Sequence, residues 1–174
     1  MNCKFQIKYI LFLIIFLGCA HVQSTTSPSF KQSNISELAV IVIPGEKTPQ
    51  RQIEDVFISA IMKKGYKIVS RSDFEQIMNE MKLQYSDITD VAAAEIGKIL
   101  NIPAILIVQV TQIEEFKLFG NRHVQVSIGA RLISVEKSEV LWIGTFSHGD
   151  LESGRRNLFL NISYYIADSF PSRY

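Results

Sequence analysis

The run Leu38-Ala39-Val40-Ile41-Val42-Ile43, ended by Pro44-Gly45, constrains this chain more than any other feature. Successive side chains of a strand point to opposite faces, so an unbroken apolar and mostly β-branched run is apolar on both. Such a strand has to be covered from above and below. That is the signature of a strand inside a parallel or mixed sheet with helices packed on it.

The sequence after this run supplies those helices. Thr48-Pro49 places a capping residue before a proline at the first helical position, and Ile53, Val56, Phe57, Ala60 and Ile61 follow at helical spacing. Lys63 and Lys64 sit in the last turn, and Gly65 closes the helix. Tyr66–Val69 reads as a short second strand. Ser72-Asp73-Phe74-Glu75 has the form of a capping box opening a second helix, with Phe74, Ile77, Met78 and Met81 as its buried stripe. A third helix is expected over Asp90–Leu100, with Ala92, Ile96, Ile99 and Leu100 on one side. Two long strands, Ile105–Ile113 and Val124–Val135, flank the turn signal Phe119-Gly120-Asn121. A two-residue loop there would set Val124 and Val126 opposite Lys117 and Glu115. A three-residue loop pairs Phe116 with Val124, Val110 with Ala130 and Val108 with Leu132. The longer loop is therefore expected, because a one-residue slip turns the apolar set to solvent. A third antiparallel strand over Val140–Ser147 and a last helix near Leu151–Phe170, burying Leu158, Phe159, Ile162, Ile166 and Phe170, complete the order βαβααβββα. This is an α/β fold with a mixed sheet of about five to six strands.

The N-terminus carries a different message. Lys4 and Lys8 precede an apolar run from Tyr9 to Leu17, the pattern of a secretory signal and too short for a spanning helix, which needs about 20 apolar residues. Leu17-Gly18-Cys19-Ala20 then resembles the bacterial lipobox, although Phe16 stands where that motif has leucine. The resemblance implies cleavage between Gly18 and Cys19, lipid attachment to the Cys19 sulfur, and, with Ala20 rather than an aspartate after it, an outer-membrane destination. Residues 1–18 thus read as a lipoprotein signal peptide, 19–36 as the acylated cysteine and a flexible Ser/Thr/Gln-rich tether, and 37–174 as one α/β domain facing the periplasm. The only cysteines are Cys3 and Cys19, so the mature domain has neither a disulfide nor a thiolate metal site.

Composition narrows the function classes. Without Lys4 and Lys8 the chain holds 16 basic against 17 acidic residues, which gives no electrostatic footprint for nucleic acid. There is no glycine-rich phosphate loop, metalloprotease helix or nucleophile elbow. His21, His123 and His148 stand apart, and Glu114 and Glu115 are neighbours on one strand and face opposite ways. The expectation is a non-enzymatic binding module with no cofactor and no metal. Its partners would be the membrane, through the anchor, an envelope protein, and a homo-oligomeric copy of itself.

Several strings, in order, resemble a known family. Gly65-Tyr66-Lys67-Ile68-Val69-Ser70-Arg71-Ser72-Asp73-Phe74-Glu75-Gln76-Ile77 is similar to a stretch common to the CsgG/LpoB-like lipoproteins, which include curli-secretion and penicillin-binding-protein activator members. Met78–Gln84, Ala94–Leu100, Ala130–Val135 and Glu139-Val140-Leu141-Trp142 continue the likeness. Lys137-Ser138 and Asn101-Ile102-Pro103-Ala104 depart from it in loops. The resemblance implies an accessory role in an envelope assembly, akin to a peptidoglycan-synthase activator, or alternatively a subunit of a secretion complex or channel. A channel is disfavoured, because the loops leave no room for membrane-spanning hairpins and Glu114, Glu115 and Lys117 would charge both faces of the existing one.

Leu118 and Phe119 are the candidate partner-contact residues. They put apolar side chains where a turn is normally polar. The competing expectation is that both fold back onto the domain's own helices.

Overall fold

The computed structural model describes residues 22–173 with the exception of Glu46. Gly18, Cys19 and the expected signal peptide lie outside the described residues. The elements in chain order are β1 (Gln23–Thr26), a 3-10 turn (Pro28–Gln32), β2 (Glu37–Ile43), α1 (Gln50–Lys63), β3 (Lys67–Ile68), α2 (Arg71–Glu80), α3 (Asp90–Ile99), β4 (Ala104–Leu118), β5 (Asn121–Ser134), β6 (Val140–Leu151) and α4 (Arg155–Asp168). One six-stranded mixed sheet runs β1-β6-β5-β4-β2-β3. β2 is parallel to β3 and β4, and the other pairings are antiparallel.

The β2 run behaves as its composition requires. Leu38, Val40 and Val42 belong to a core with Ile53, Phe57 and Ile61 of α1 and with Leu158, Phe159, Ile162 and Ile166 of α4. Ala39 and Ile41 belong to a second core with Phe74, Ile77 and Met78 of α2 and with Ala93 and Ile96 of α3. The sheet is thus a central layer with two helices on each face. The described residues build both cores and the whole sheet, so the chain from Cys19 onward carries the fold.

Four sequence expectations are corrected. The segment expected to be a free tether is structured from Gln23: β1 pairs with Trp142–Thr145 of β6, and Phe30 packs edge-on against Phe170 at 6.3 Å. All four β1 side chains are exposed, so no apolar alternation marks the strand, and backbone hydrogen bonding to β6 forms it. The hairpin is tighter than expected. Leu118 pairs with Asn121 across a two-residue Phe119-Gly120 turn, and a bulge at Thr111 shifts the register between Val110 and Gln112. An extra residue reverses the side-chain alternation, so Val110 and Ile113 both face the first core. Ser70, not Ser72, caps α2, its Oγ accepting from the Asp73 backbone N–H at 3.3 Å. In α3, Ile99 is 56 % exposed, while Ala93, Ala94 and Gly97 join Ile96 inside.

Candidate interaction surface

β4, β5 and β6 outrun the strands that flank them. β2 accompanies β4 only to Gln109, and β1 accompanies β6 only to Thr145. Beyond those points the three strands continue as a ribbon up to the Phe119-Gly120 turn. Val124 and Val126 are buried on one face of it, in the core shared with α4. The opposite face carries Gln112, Glu114, Phe116, Gln125 and Ser147, all exposed. Across the strands Ser127 Oγ lies 2.8 Å from Ser147 Oγ and Gln125 Nε2 donates to Ser147 Oγ at 3.3 Å, and along β4 Gln112 Nε2 donates to Glu114 Oε1 at 2.6 Å.

Two ion pairs hold the ribbon to the domain. Arg155, in the first turn of α4, hydrogen-bonds Glu115. That bond, with the Arg155 charge, holds the Glu115 carboxyl below its ordinary value. Arg122 Nη1 lies 3.6 Å from Glu152 Oε2. No sequence pattern announces these contacts, because the partners are far apart in the chain.

At the tip, neither Leu118 nor Phe119 folds back. Phe119 is 95 % exposed and Leu118 45 % exposed. Phe116 stacks on His123 at 5.6 Å between centroids. The turn has φ of 49° at Phe119 and 82° at Gly120. A tight hairpin turn with positive φ at both central residues normally uses Asn-Gly or Asp-Gly, because a Cβ in the left-handed region costs about 1–2 kcal/mol. A bulky aromatic held there, with no core contact to recover the cost, is the kind of local strain that collects at functional positions.

The remaining polar clusters are structural. Arg71 bridges α1 and α2, with Nη1 2.7 Å from Glu54 Oε2 and Nε 2.7 Å from Glu75 Oε1. Burial raises the Glu54 carboxyl above its ordinary value, and the adjacent Arg71 charge opposes that shift. The open groove of about 830 Å³ beside it is lined by Glu75, Met78, Leu83, Tyr85, Ile88 and Gln109, and its nearest carboxylate is already spent on Arg71. Among the described residues no three His, Cys, Asp or Glu side chains converge as a metal site would need. No helix there is long and apolar enough to cross a membrane.

No protein-family model and no curated protein sequence matches the chain. Solved structures do match. The fold is similar to that of PelC, seen as a dodecamer from Paraburkholderia phytofirmans, with a TM-score of 0.55 and 14 % identity over 88 % of this chain and 98 % of that one. It is also similar to lipoprotein GNA1162 from Neisseria meningitidis, with a TM-score of 0.59 and 17 % identity over 72 % of this chain and 90 % of the other. The chain shares the fold of both. The LpoB C-terminal domain from Salmonella enterica matches at a TM-score of 0.49 and 15 % identity, over 65 % of this chain and 82 % of that domain.

Proposed function

We propose that this chain is a lipid-anchored accessory lipoprotein of the bacterial outer membrane, with its domain facing the periplasm and acting by binding envelope partners rather than by catalysis. The observation that carries the reading is the β4–β5–β6 ribbon, a stretch of sheet that extends past its flanking strands and offers a bare polar face and an apolar tip. Of its charged side chains, Glu115 and Arg122 are committed to ion pairs. An activator-like role, in which the domain docks on a synthase of the cell envelope, is the form of this function that the sequence resemblance favours. The lipid anchor is Cys19, and the fold begins only four residues later at Gln23. The domain therefore sits against its membrane, and its partner lies there too.

Cys19→Ser abolishes incorporation of radiolabelled palmitate and leaves unprocessed precursor. Labelling as strong as in the wild type ends the anchored reading.

A second reading is a subunit of a ring-shaped secretion complex, favoured by the two strand edges that the ribbon leaves unpaired among the described residues. They lie on β4 beyond Gln109 and on β6 beyond Thr145. β4 and β6 run in the same direction, so one copy's β6 edge can pair in parallel with the next copy's β4 edge. Such a head-to-tail contact closes into a ring when the rotation permits. The ring form predicts a mass of many subunits by light scattering of the detergent-solubilised protein. A monomer at every concentration removes it.

A further inference from the structure

We propose that the β4–β5 tip is a membrane wedge that inserts Phe119 and Leu118 into the lipid interface beside the protein's own anchor. The inference rests on reading Cys19 as that anchor, and the direction of β1 carries it. β1 is antiparallel to β6, with Gln23 opposite Thr145 and Thr26 opposite Trp142. β6 climbs from Val140 toward Leu151, which pairs with His123 near the tip. Going backward from Gln23, the chain therefore leaves the sheet toward the tip. The N-terminal end of β1, from which the chain runs back to Cys19, points to the same end of the molecule as the apolar turn.

The lengths sharpen this. Gln23 is level with Thr145, and Thr145 with Gly129. From Gly129 to Asn121 is eight residues of strand, about 27 Å. From Gln23 back to Cys19 is four residues, which reach at most about 14 Å even fully extended. The Leu118–Asn121 rung thus projects at least about 13 Å past Cys19 when the strands stand upright, and about 5 Å when they tilt by roughly 45° and the linker does not. The interfacial layer on each side of a bilayer is only about 5–8 Å deep. With Cys19 held at the surface, the turn has to enter the interfacial layer unless the strands tilt by more than about 60°.

The side chains suit that position. From Phe116 to His123 the tip holds Lys117 and Arg122, and the acid at that level, Glu152 just after β6, is paired with Arg122. Leu151, 42 % exposed, adds to the apolar surface on the rung of His123. The nearest strand acids, Glu115 and Asp150, share the Val124 rung, about 10 Å below the turn. That spacing matches the roughly 5–10 Å to which interfacial apolar surfaces sink, with basic side chains reaching back to the headgroups. The strained aromatic at the outermost position has a use in lipid that it lacks in water.

The test uses the chain from Cys19, whose thiol is its only one, coupled to a maleimide-bearing phosphatidylethanolamine in vesicles of phosphatidylethanolamine and phosphatidylglycerol. This supplies the anchor whether or not the cell acylates Cys19, so failure of the palmitate experiment and failure of the wedge are separate results. In Phe119→Trp, the new indole is expected to shift its emission to the blue and lose most of it to lipids brominated on their acyl chains. The native Trp142, 1 % exposed, provides the unquenched background in the wild type. Emission that stays red and is quenched by aqueous iodide puts the tip in water and overturns the proposal. Protection from iodide without quenching by brominated lipid means that the tip is covered by protein, a second copy included, and overturns it equally.

Discussion

Phe57→Ala lowers the stability of the domain by about 3–5 kcal/mol, the range for emptying a fully buried aromatic site. Phe57 has no exposed surface and lies in the core where α1 meets the sheet and α4. Ile53 and Ile61, one turn to either side, are equally inaccessible and leave little freedom for collapse into the void. The neighbouring Val56 is only half-buried, so Val56→Ala serves as the control and costs well under half as much. For a domain of this size each kcal/mol moves Tm by roughly 3–4 °C, so the melting temperature falls by roughly 10–20 °C. Urea unfolding of the chain from Cys19 measures the loss directly, with an unchanged m-value as the sign that both states keep their compactness. A loss below about 1 kcal/mol would show that the α1–α4 face is loosely packed.

What the sequence disclosed and what it withheld divide along physical lines. The two-faced β2 strand was legible because burial on both sides demands an unbroken apolar run, and the helical stripes were legible because each faces one core. β1 was not, since a strand exposed on both faces and held by backbone bonds alone leaves no pattern in its side chains. The hairpin register escapes the sequence for a related reason. Parity arguments assume uninterrupted alternation, and the bulge at Thr111 changes the parity partway along β4. With the bulge, Glu115 stands opposite the buried Val124, a pairing that looks wrong until Arg155 is seen to reach Glu115 from α4.

The candidate surface follows the same division. Leu118 and Phe119 stood out in the sequence as apolar residues in a turn, but their exposure depends on how far β4 and β5 extend beyond α4. Whether the tip shares an end with the proposed anchor depends on the direction of β1, a strand that the sequence conceals. Local chemistry could nominate the residues, and only the topology could give them a surface to meet.

Gly97→Ala tests the opposite face of the sheet and is expected to destabilise, although intrinsic helix propensity predicts the reverse. Alanine in the interior of a helix is favoured over glycine by about 1 kcal/mol. At Gly97, however, an added Cβ would lie 2.2 Å from Val135 Cγ2, 3.2 Å from Val135 Cγ1 and 3.3 Å from Ile105 Cδ1. The first distance is far inside van der Waals contact. Both neighbours are buried, so α3 has to lift from the sheet or Val135 has to leave its rotamer. Overpacking of this kind costs about 1–3 kcal/mol, enough to outweigh the propensity gain. Val135→Ala removes both γ-methyls that the new group would strike, at its own cost of roughly 1–2 kcal/mol for the lost burial. In that background Gly97→Ala becomes neutral or mildly stabilising, and the double-mutant cycle returns a favourable coupling of about 1–3 kcal/mol. Additive losses would place the strain somewhere other than the Gly97–Val135 contact and would mean that α3 docks on β5 less closely than its backbone implies.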